Sequence, residues 1–410
     1  MAGTASRIAL AACATVVATL GLAACGGQKS GSPPASGVRQ VFTAMPTGDS
    51  GDPAGRDIVA AQEMALEERD GRAGSFRVRL VARPTSDAEG PSPELAAEAA
   101  RAAARSRECL AFIGGFTSSE TAAAAPILNR AGLVQVTPTS TASVLTAVVP
   151  GTYRPLPATA PTGTRTLIRI PPSDAVQAKA TLAYMQEESA RRIVIASDGG
   201  VYGEGLARDV AREAAASGIK VVDRVAIGTA GAKAAAARKP QALFVAANTS
   251  PATVSFLRSF IRLDPEARLF LPDALSEPST LQALGDAQPR TYVTTFVLPP
   301  SYYGPRGVRF TERFRARFKR APSPFALYGY EAMTLVLDAI GSLPADAGLA
   351  TVGERGFVAR RVAATTDRAG VIGSYSVTAT GDTTTDIYGA FRVEDGRLTR
   401  GRAVTVRMTR

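Results

Sequence analysis

Two groups of hydroxyl residues stand a helix-length apart, Thr117-Ser118-Ser119 and Thr139-Ser140-Thr141. Glu120 follows Thr117 with the Thr-x-x-Glu spacing of a capping box, so a helix is expected to start in the first group. At such a start, unpaired backbone N–H groups and the positive end of the helix dipole favour an anion, and neighbouring hydroxyls add donors. The same residues also serve simply as helix caps. Around them the pattern is an apolar strand (Leu110 to Ile113), a Gly-Gly-Phe turn, an Ala-rich helix stopped by Gly132 and a second apolar strand (Leu133 to Val136). That is a βαβ unit, and both hydroxyl groups follow strand C-termini, the edge of a parallel sheet where ligands settle.

What the chain lacks narrows the chemistry further. It contains no histidine, which excludes Ser-His-Asp and Cys-His hydrolases and His-dependent metal sites. One Ser-x-x-Lys, Ser217 to Lys220, has no companion motif and sits where a helix turns into a strand. No enzymatic activity, metal or cofactor is therefore expected. Net charge is +11 and comes mostly from arginine, but no basic run is interleaved with aromatics in a nucleic-acid module. The charge is that of a solvated surface, or of a protein that leans on anionic lipid or wall polymer.

The amino terminus reads as an export signal. Arg7 precedes the apolar stretch Ile8 to Leu22, and Leu22-Ala23-Ala24-Cys25 has the form of a lipobox. Residues 1–25 are thus expected to be a lipoprotein signal ending at lipidated Cys25, and the Gly/Ser/Pro-rich residues 26–37 a flexible tether. Cys13 leaves with the signal and Cys25 is consumed by lipid, so only Cys109 remains. A single thiol forms no internal disulfide, and Cys109, opening an apolar strand, reads as a small core residue.

The rest alternates strands and helices. Val38 to Met45 reads as a strand opening into a Gly/Pro/Asp loop to Gly55, followed by a helix from Asp57 to Arg69, a strand from Phe76 to Ala82 and a helix from Leu95 to Arg107. After a Pro/Gly/Thr excursion, Val148 to Gly163, a second series begins with a strand at Thr166 to Ile170. It continues with helices Ala175 to Glu187, Gly205 to Ala216 and Ser250 to Leu263. Between them fall strands Arg192 to Ala196, Val221 to Val225, Ala242 to Val245 and Leu269 to Leu271. Thr291 to Pro300 reads as another strand, Val308 to Lys319 as a helix with a Phe310, Phe314, Phe318 stripe, and Phe325 to Leu343 as a long apolar helix. The tail Gly370 to Met408 reads as β-rich, with turns at Gly381-Asp382 and Glu394-Asp395-Gly396. The fold class is α/β, doubly wound and repeated.

Five blocks, in order, resemble the type I periplasmic binding proteins, in particular the branched-chain amino-acid receptors of ABC importers. They are IGGFTSSETAAAAPILNRAGLVQVTPTST, SDGGVYGEGLARDV, LFLPDALSEPSTLQALGDA, ALYGYEAMTLVLDAI and GVIGSYSVTATGDTTTDIYGAFRVEDGRL. The resemblance implies two Rossmann-like lobes joined by three hinge crossovers, near Ile168 to Ile170, near Val293 to Phe296 and just before Gly370. Lobe 1 is expected to comprise 38–168 and 296–369, and lobe 2 169–295 and 370–410. By the same resemblance Ser118 and Thr141 bind a ligand α-carboxylate, Thr139 lends a carbonyl to the ammonium, Tyr202 closes over the ligand and Asp273 pairs with the ammonium. Asn248 falls where the family often has Gly-Gly-Tyr, here Ala247-Asn248-Thr249, so an aromatic lid is missing. Ala54 stands where the family often has an aromatic, and the Pro-rich excursion is longer than usual. The implied function is capture of an amino acid or similar small polar solute for ABC permease subunits at the extracytoplasmic membrane face. The alternative is a ligand-dependent sensor on the same scaffold. If Cys25 carries the anchor, export-competent Cys25→Ser protein should move from the membrane to the soluble fraction after signal cleavage; retention on membranes would place the anchor elsewhere.

Overall fold

The computed structural model describes residues 37–48, 53–146, 158–344 and 352–406. Cys25, the tether and most of the Pro-rich excursion lie outside them. The first sheet is built from β1 (Val38–Met45), then α1 (Pro53–Glu67), β2 (Arg72–Ala73), β3 (Phe76–Pro84) and a small hairpin, β4 (Ser86–Asp87) with β5 (Gly90–Pro91). There follow α2 (Pro93–Arg105), β6 (Cys109–Ile113), α3 (Ser118–Arg130), β7 (Val134–Thr137) and β8 (Leu167–Arg169). Strand order is β2-β3-β1-β6-β7-β8, parallel except for the β2–β3 pair. Because the order reverses direction at β1, the loops after β1 and β6 part at the strand C-termini and open a crevice there.

The chain then forms α4 (Asp174–Glu187), β9 (Arg192–Ser197), α5 (Val201–Ala216), β10 (Lys220–Ala226), α6 (Thr229–Ala237), β11 (Ala242–Ala246), α7 (Pro251–Leu263), β12 (Arg268–Leu271), α8 (Pro278–Gln282) and β13 (Thr291–Thr295). It returns to the first lobe for α9 (Gly304–Phe318), α10 (Ala326–Gly341) and α11 (Val352–Ala363), and ends in β14 (Arg368–Gly370), β15 (Gly373–Tyr375), β16 (Ile387–Glu394) and β17 (Arg397–Thr405). The second sheet has the order β10-β9-β11-β12-β13-β16-β17, parallel as far as β13 and antiparallel beyond it. Its reversal lies at β9, so the loops after β9, β11 and β12 face a second crevice.

Each lobe is a sheet covered by helices on both faces. In α10 every residue but Asp338 and Gly341 is buried, which is why its sequence is apolar on all sides. Phe310 and Phe314 of α9 enter the same core, with Phe318 packed against it. Cys109 is fully buried, and burial pushes its thiol up to about 12, the behaviour of a core residue. At the β16–β17 hairpin Asp395 and Gly396 take φ of 51° and 68°, the pair of positive values a two-residue I′ turn requires.

Several elements differ from the sequence reading. Leu167–Arg169, read as opening the second series, is the edge strand of the first sheet, because it pairs in parallel with β7. The strand from Thr291 stops at Thr295 rather than Pro300; Pro299 and Pro300 lack the N–H a ladder needs and lead into a helical turn. The helices α6 and α11, and the β4–β5 hairpin, carry no strong apolar period and were not anticipated.

The crossings are held by buried polar groups. Arg169, at the end of β8, is 1% exposed and donates from Nη1 to the carbonyls of Thr141 (2.6 Å) and Ala142 (2.8 Å), and from Nε to Asp382 Oδ1 (2.9 Å). Its Nη2 donates to the Thr146 hydroxyl and to Asp382. In the second crossing the Phe296 carbonyl accepts from Tyr328 (2.8 Å) and Tyr303 (3.2 Å). At the third, buried Glu331 of α10 accepts from Arg368 (2.6 Å), Tyr375 (2.9 Å) and the Val371 amide (2.8 Å). Arg169→Met would remove the cation that faces Asp382 and one donor from each of two carbonyls, and removal of one member of a buried pair costs about 3–5 kcal/mol. Urea denaturation should register that loss, while a change below about 1 kcal/mol would mean that water replaces the guanidinium.

Candidate functional site

Every residue singled out in the sequence lies after the C-terminal end of a parallel strand. Ser118 follows β6, Thr139 and Thr141 follow β7, Tyr202 follows β9, Asn248 follows β11 and Asp273 follows β12. All of them line one cavity of about 340 Å³ between the lobes. Cys25 lies outside the described residues.

On the first lobe the capping box at α3 is complete. Thr117 Oγ1 accepts from the Glu120 amide (3.2 Å), and Glu120 Oε2 accepts from the Thr117 amide (2.7 Å) and hydroxyl (2.9 Å). This pairing leaves the next helical amides, at Ser118 and Ser119, to an outside acceptor. Ser118 Oγ accepts from the Ala142 amide (3.2 Å), so its own proton is available to a ligand. Thr139 is different. Its hydroxyl donates to the Phe116 carbonyl (2.6 Å), and only its backbone carbonyl can serve a ligand donor. The carbonyl of Thr141 accepts from Arg169 and from the Asp174 amide (2.8 Å), which fixes the loop and leaves the side chain to face the cavity.

On the second lobe Tyr202 donates to Asp273 Oδ1 at 2.9 Å, with both side chains buried. Burial raises Asp273 to about 6, despite the hydrogen bonds from Tyr202 and Gln177 that pull it down. It is therefore a carboxylate at neutral pH. Asp174, fully buried at the start of α4, is raised well above the usual carboxyl range by burial and by the charge of Asp273. The nearby Thr141 hydroxyl and Arg169 guanidinium do not reverse this. A neutral Asp174 can donate to the Thr141 oxygen and leave the Thr141 proton for a ligand. Asn248 is fixed through its amide, which donates to Asp198 Oδ2 (2.9 Å), leaving its side chain on the wall.

The cavity wall holds residues that the sequence did not single out. Phe116 and Phe325 supply aromatic surface, their ring centroids 6.2 Å apart, while Glu89 and Glu277 add carboxylates from opposite lobes. No lysine or arginine among the described residues lines it. Phe325 precedes α10 and reads in the sequence only as the start of a long apolar helix, and Glu89 sits on a hairpin whose one visible signal is Gly90-Pro91. No group of three or more metal-ligating side chains occurs among the described residues.

Two doubly wound lobes, three crossings and a polar cavity at both switch points define a type I periplasmic binding fold. The chain belongs to the periplasmic binding protein family, whose model matches residues 41–397. Solved structures agree on the fold. A leucine-binding protein of Thermotoga maritima is 22% identical, with a TM-score of 0.75 over 90% of this chain and 99% of that one. A branched-chain amino-acid binding protein of Streptococcus pneumoniae, in complex with isoleucine, is 18% identical, with a TM-score of 0.72 over 90% and 99%. A solute-binding protein of R. palustris in complex with benzoate is 18% identical, with a TM-score of 0.73 over 90% and 98%. No curated protein matches the chain in sequence.

Glu120 offers a test of the site's electrostatics. Burial raises it from 4.5 to about 7, so the folded protein holds a proton there that the unfolded chain has released. Its contribution to stability is greatest below pH 4.5 and is lost as pH rises to about 7, by at most about 3 kcal/mol. Glu120→Gln keeps a capping acceptor without the charge, so wild type should lose stability relative to the variant between pH 5 and 7 (urea titrations, pH range set by the shift above). Parallel curves would mean that Glu120 ionises as freely in the fold as outside it.

Proposed function

We propose that this chain is a lipid-anchored extracytoplasmic receptor of an ABC importer, and that it captures an amino acid or a similar solute carrying both a carboxylate and an ammonium group. The observation that carries this reading is the polarity of the cavity. Hydroxyl and amide donors at Ser118 and Thr141 come from one lobe, and the carboxylate of Asp273 comes from the other. Donors without a fixed cation suit a carboxylate that arrives with its own countercharge. A purely anionic solute such as benzoate, the ligand of one structural neighbour, would bring no ammonium group for Asp273. The leucine and isoleucine named for other neighbours carry both groups.

The lobes serve as jaws about the three crossings, with 38–168 and 296–369 in one and 169–295 and 370–410 in the other. A solute that touches both lobes favours the closed form, because only differential affinity moves such an equilibrium. Permease subunits then read closure, and the anchor at Cys25 keeps the receptor at the membrane. No helix among the described residues is long and apolar enough to cross a membrane.

Calorimetry over a panel of amino acids and aromatic acids tests this reading. Ser118→Ala and Thr141→Ala should each weaken the best amino-acid ligand roughly tenfold to hundredfold, the range that loss of one donor to a buried charge produces. Affinity should also fall as pH drops through about 6, because protonated Asp273 no longer attracts the ammonium. The sign follows from binding a cation to a deprotonated acid, and Asp273→Asn should flatten the profile. Tight binding of benzoate with no response to any amino acid would overturn the assignment.

A further inference from the structure

A second cavity, of about 300 Å³, lies beside the middle crossing. Its walls come from both lobes: Phe310 and Leu327 from one, Phe391 and Leu398 from the other, and Val297 and Leu298 from the crossing between them. The volume and the mostly apolar lining are those of a small-molecule pocket. The walls are also shaped for it. A Cβ at Gly389 or Gly401, on the neighbouring strands β16 and β17, would run into the Phe391 ring. Glycine at both positions lets that ring lie against the backbone instead of filling the space above it.

The polar side chains of the lining are mostly hydroxyls, and Arg315 is its one charged residue. Arg315 is exposed at the rim, and its guanidinium forms no ion pair among the described residues, whereas Arg313, Arg317 and Arg320 nearby in the chain are paired with acids. An apolar chamber with an unpaired cation at its mouth matches a particular chemistry. We propose that this cavity is a second binding site, taking a compact apolar acid whose ring or branched chain fills the chamber and whose carboxylate reaches Arg315. The assignment does not depend on the solute bound in the interlobe cleft.

Phenylacetate, with the uncharged phenylethanol as its counterpart, is a suitable probe on the full mature chain, by calorimetry or ligand-observed NMR. Phenylacetate should bind and phenylethanol should bind more weakly. Arg315→Glu, a change at an exposed position, should weaken phenylacetate about tenfold. Leu327→Trp should fill the chamber and abolish binding, and Leu398→Phe, at a half-buried wall position, should weaken it if that variant fails to fold. Ser118→Ala and Thr141→Ala should leave phenylacetate unaffected. Absence of phenylacetate binding overturns the proposal. So does binding that ignores Arg315→Glu, or binding lost with the cleft variants, which would put the acid in the interlobe cleft.

Discussion

The buried guanidinium of Arg169 ties the Thr141 loop of the cleft to the first crossing. It is placed by the last strand of the first sheet, yet its partners are the carbonyls of the Thr141 loop and the carboxylate of Asp382, in the segment that leads from the third crossing to β16. Its own amide donates to the Gly381 carbonyl (2.9 Å), so backbone and side chain reach the same segment. A charge this deep is tolerated only when nearly every donor is met, and here carbonyls, a hydroxyl and a carboxylate meet them. The first crossing, the Thr141 loop and the 381–382 segment are therefore joined through one side chain and its backbone amide.

The same charge organises the acids around the cleft. Asp382 faces Arg169 directly and is held below its usual range by that pairing, although burial opposes it. Asp174 and Asp273 have weaker compensation and are raised, one far and one to about 6. Two neighbouring carboxyl groups in a desolvated site cannot both ionise cheaply, so the charge goes to the one with better hydrogen bonds. That is Asp273, supported by Tyr202 and Gln177. Asp174, raised further by burial and by the charge of Asp273, favours its protonated form, in which it can donate toward the Thr141 hydroxyl.

Much of this was legible in the sequence because local signals and tertiary placement agreed. The Thr117–Glu120 spacing, the apolar strand Cys109–Ile113 and the Gly132 stop each specify their element without help from distant residues. Once the elements were in order, the rule that ligands meet strand C-termini brought Ser118, Thr139, Thr141, Tyr202, Asn248 and Asp273 to the two facing edges. What was not legible depends on contacts between remote segments. Phe325 has the pattern of a core residue and becomes cleft wall only because the middle crossing delivers α10 there. Asp174 carries no distinguishing signal in the sequence, and the upward shift of its carboxyl follows from burial and from the charge of Asp273, far away in the chain. Leu167–Arg169 resembled the start of a new series because a strand's sheet is chosen by pairing partners, which no window of sequence contains.

Aromatic residues link the cleft wall to the middle crossing. Phe116 of the cleft wall meets Phe325 at 6.2 Å, Phe325 meets Phe296 at 5.7 Å, and Phe296 meets Tyr328 at 4.9 Å. Tyr328 and Tyr303 both bond the Phe296 carbonyl, and Tyr303 also accepts from the Leu298 amide (2.8 Å). The middle crossing is thus clamped by two phenols on one side and packed against the cleft wall on the other. Rings in close contact do not deform gradually, since packed interiors resist small displacements and move between discrete arrangements. A solute that shifts Phe116 or Phe325 acts on the residue at which the chain changes lobes, with no need for a longer path. The other two crossings are anchored instead by buried charges, Arg169 with Asp382 at the first and Glu331 with Arg368 at the third, so the link between cleft wall and crossing that runs through packed rings is peculiar to the middle one.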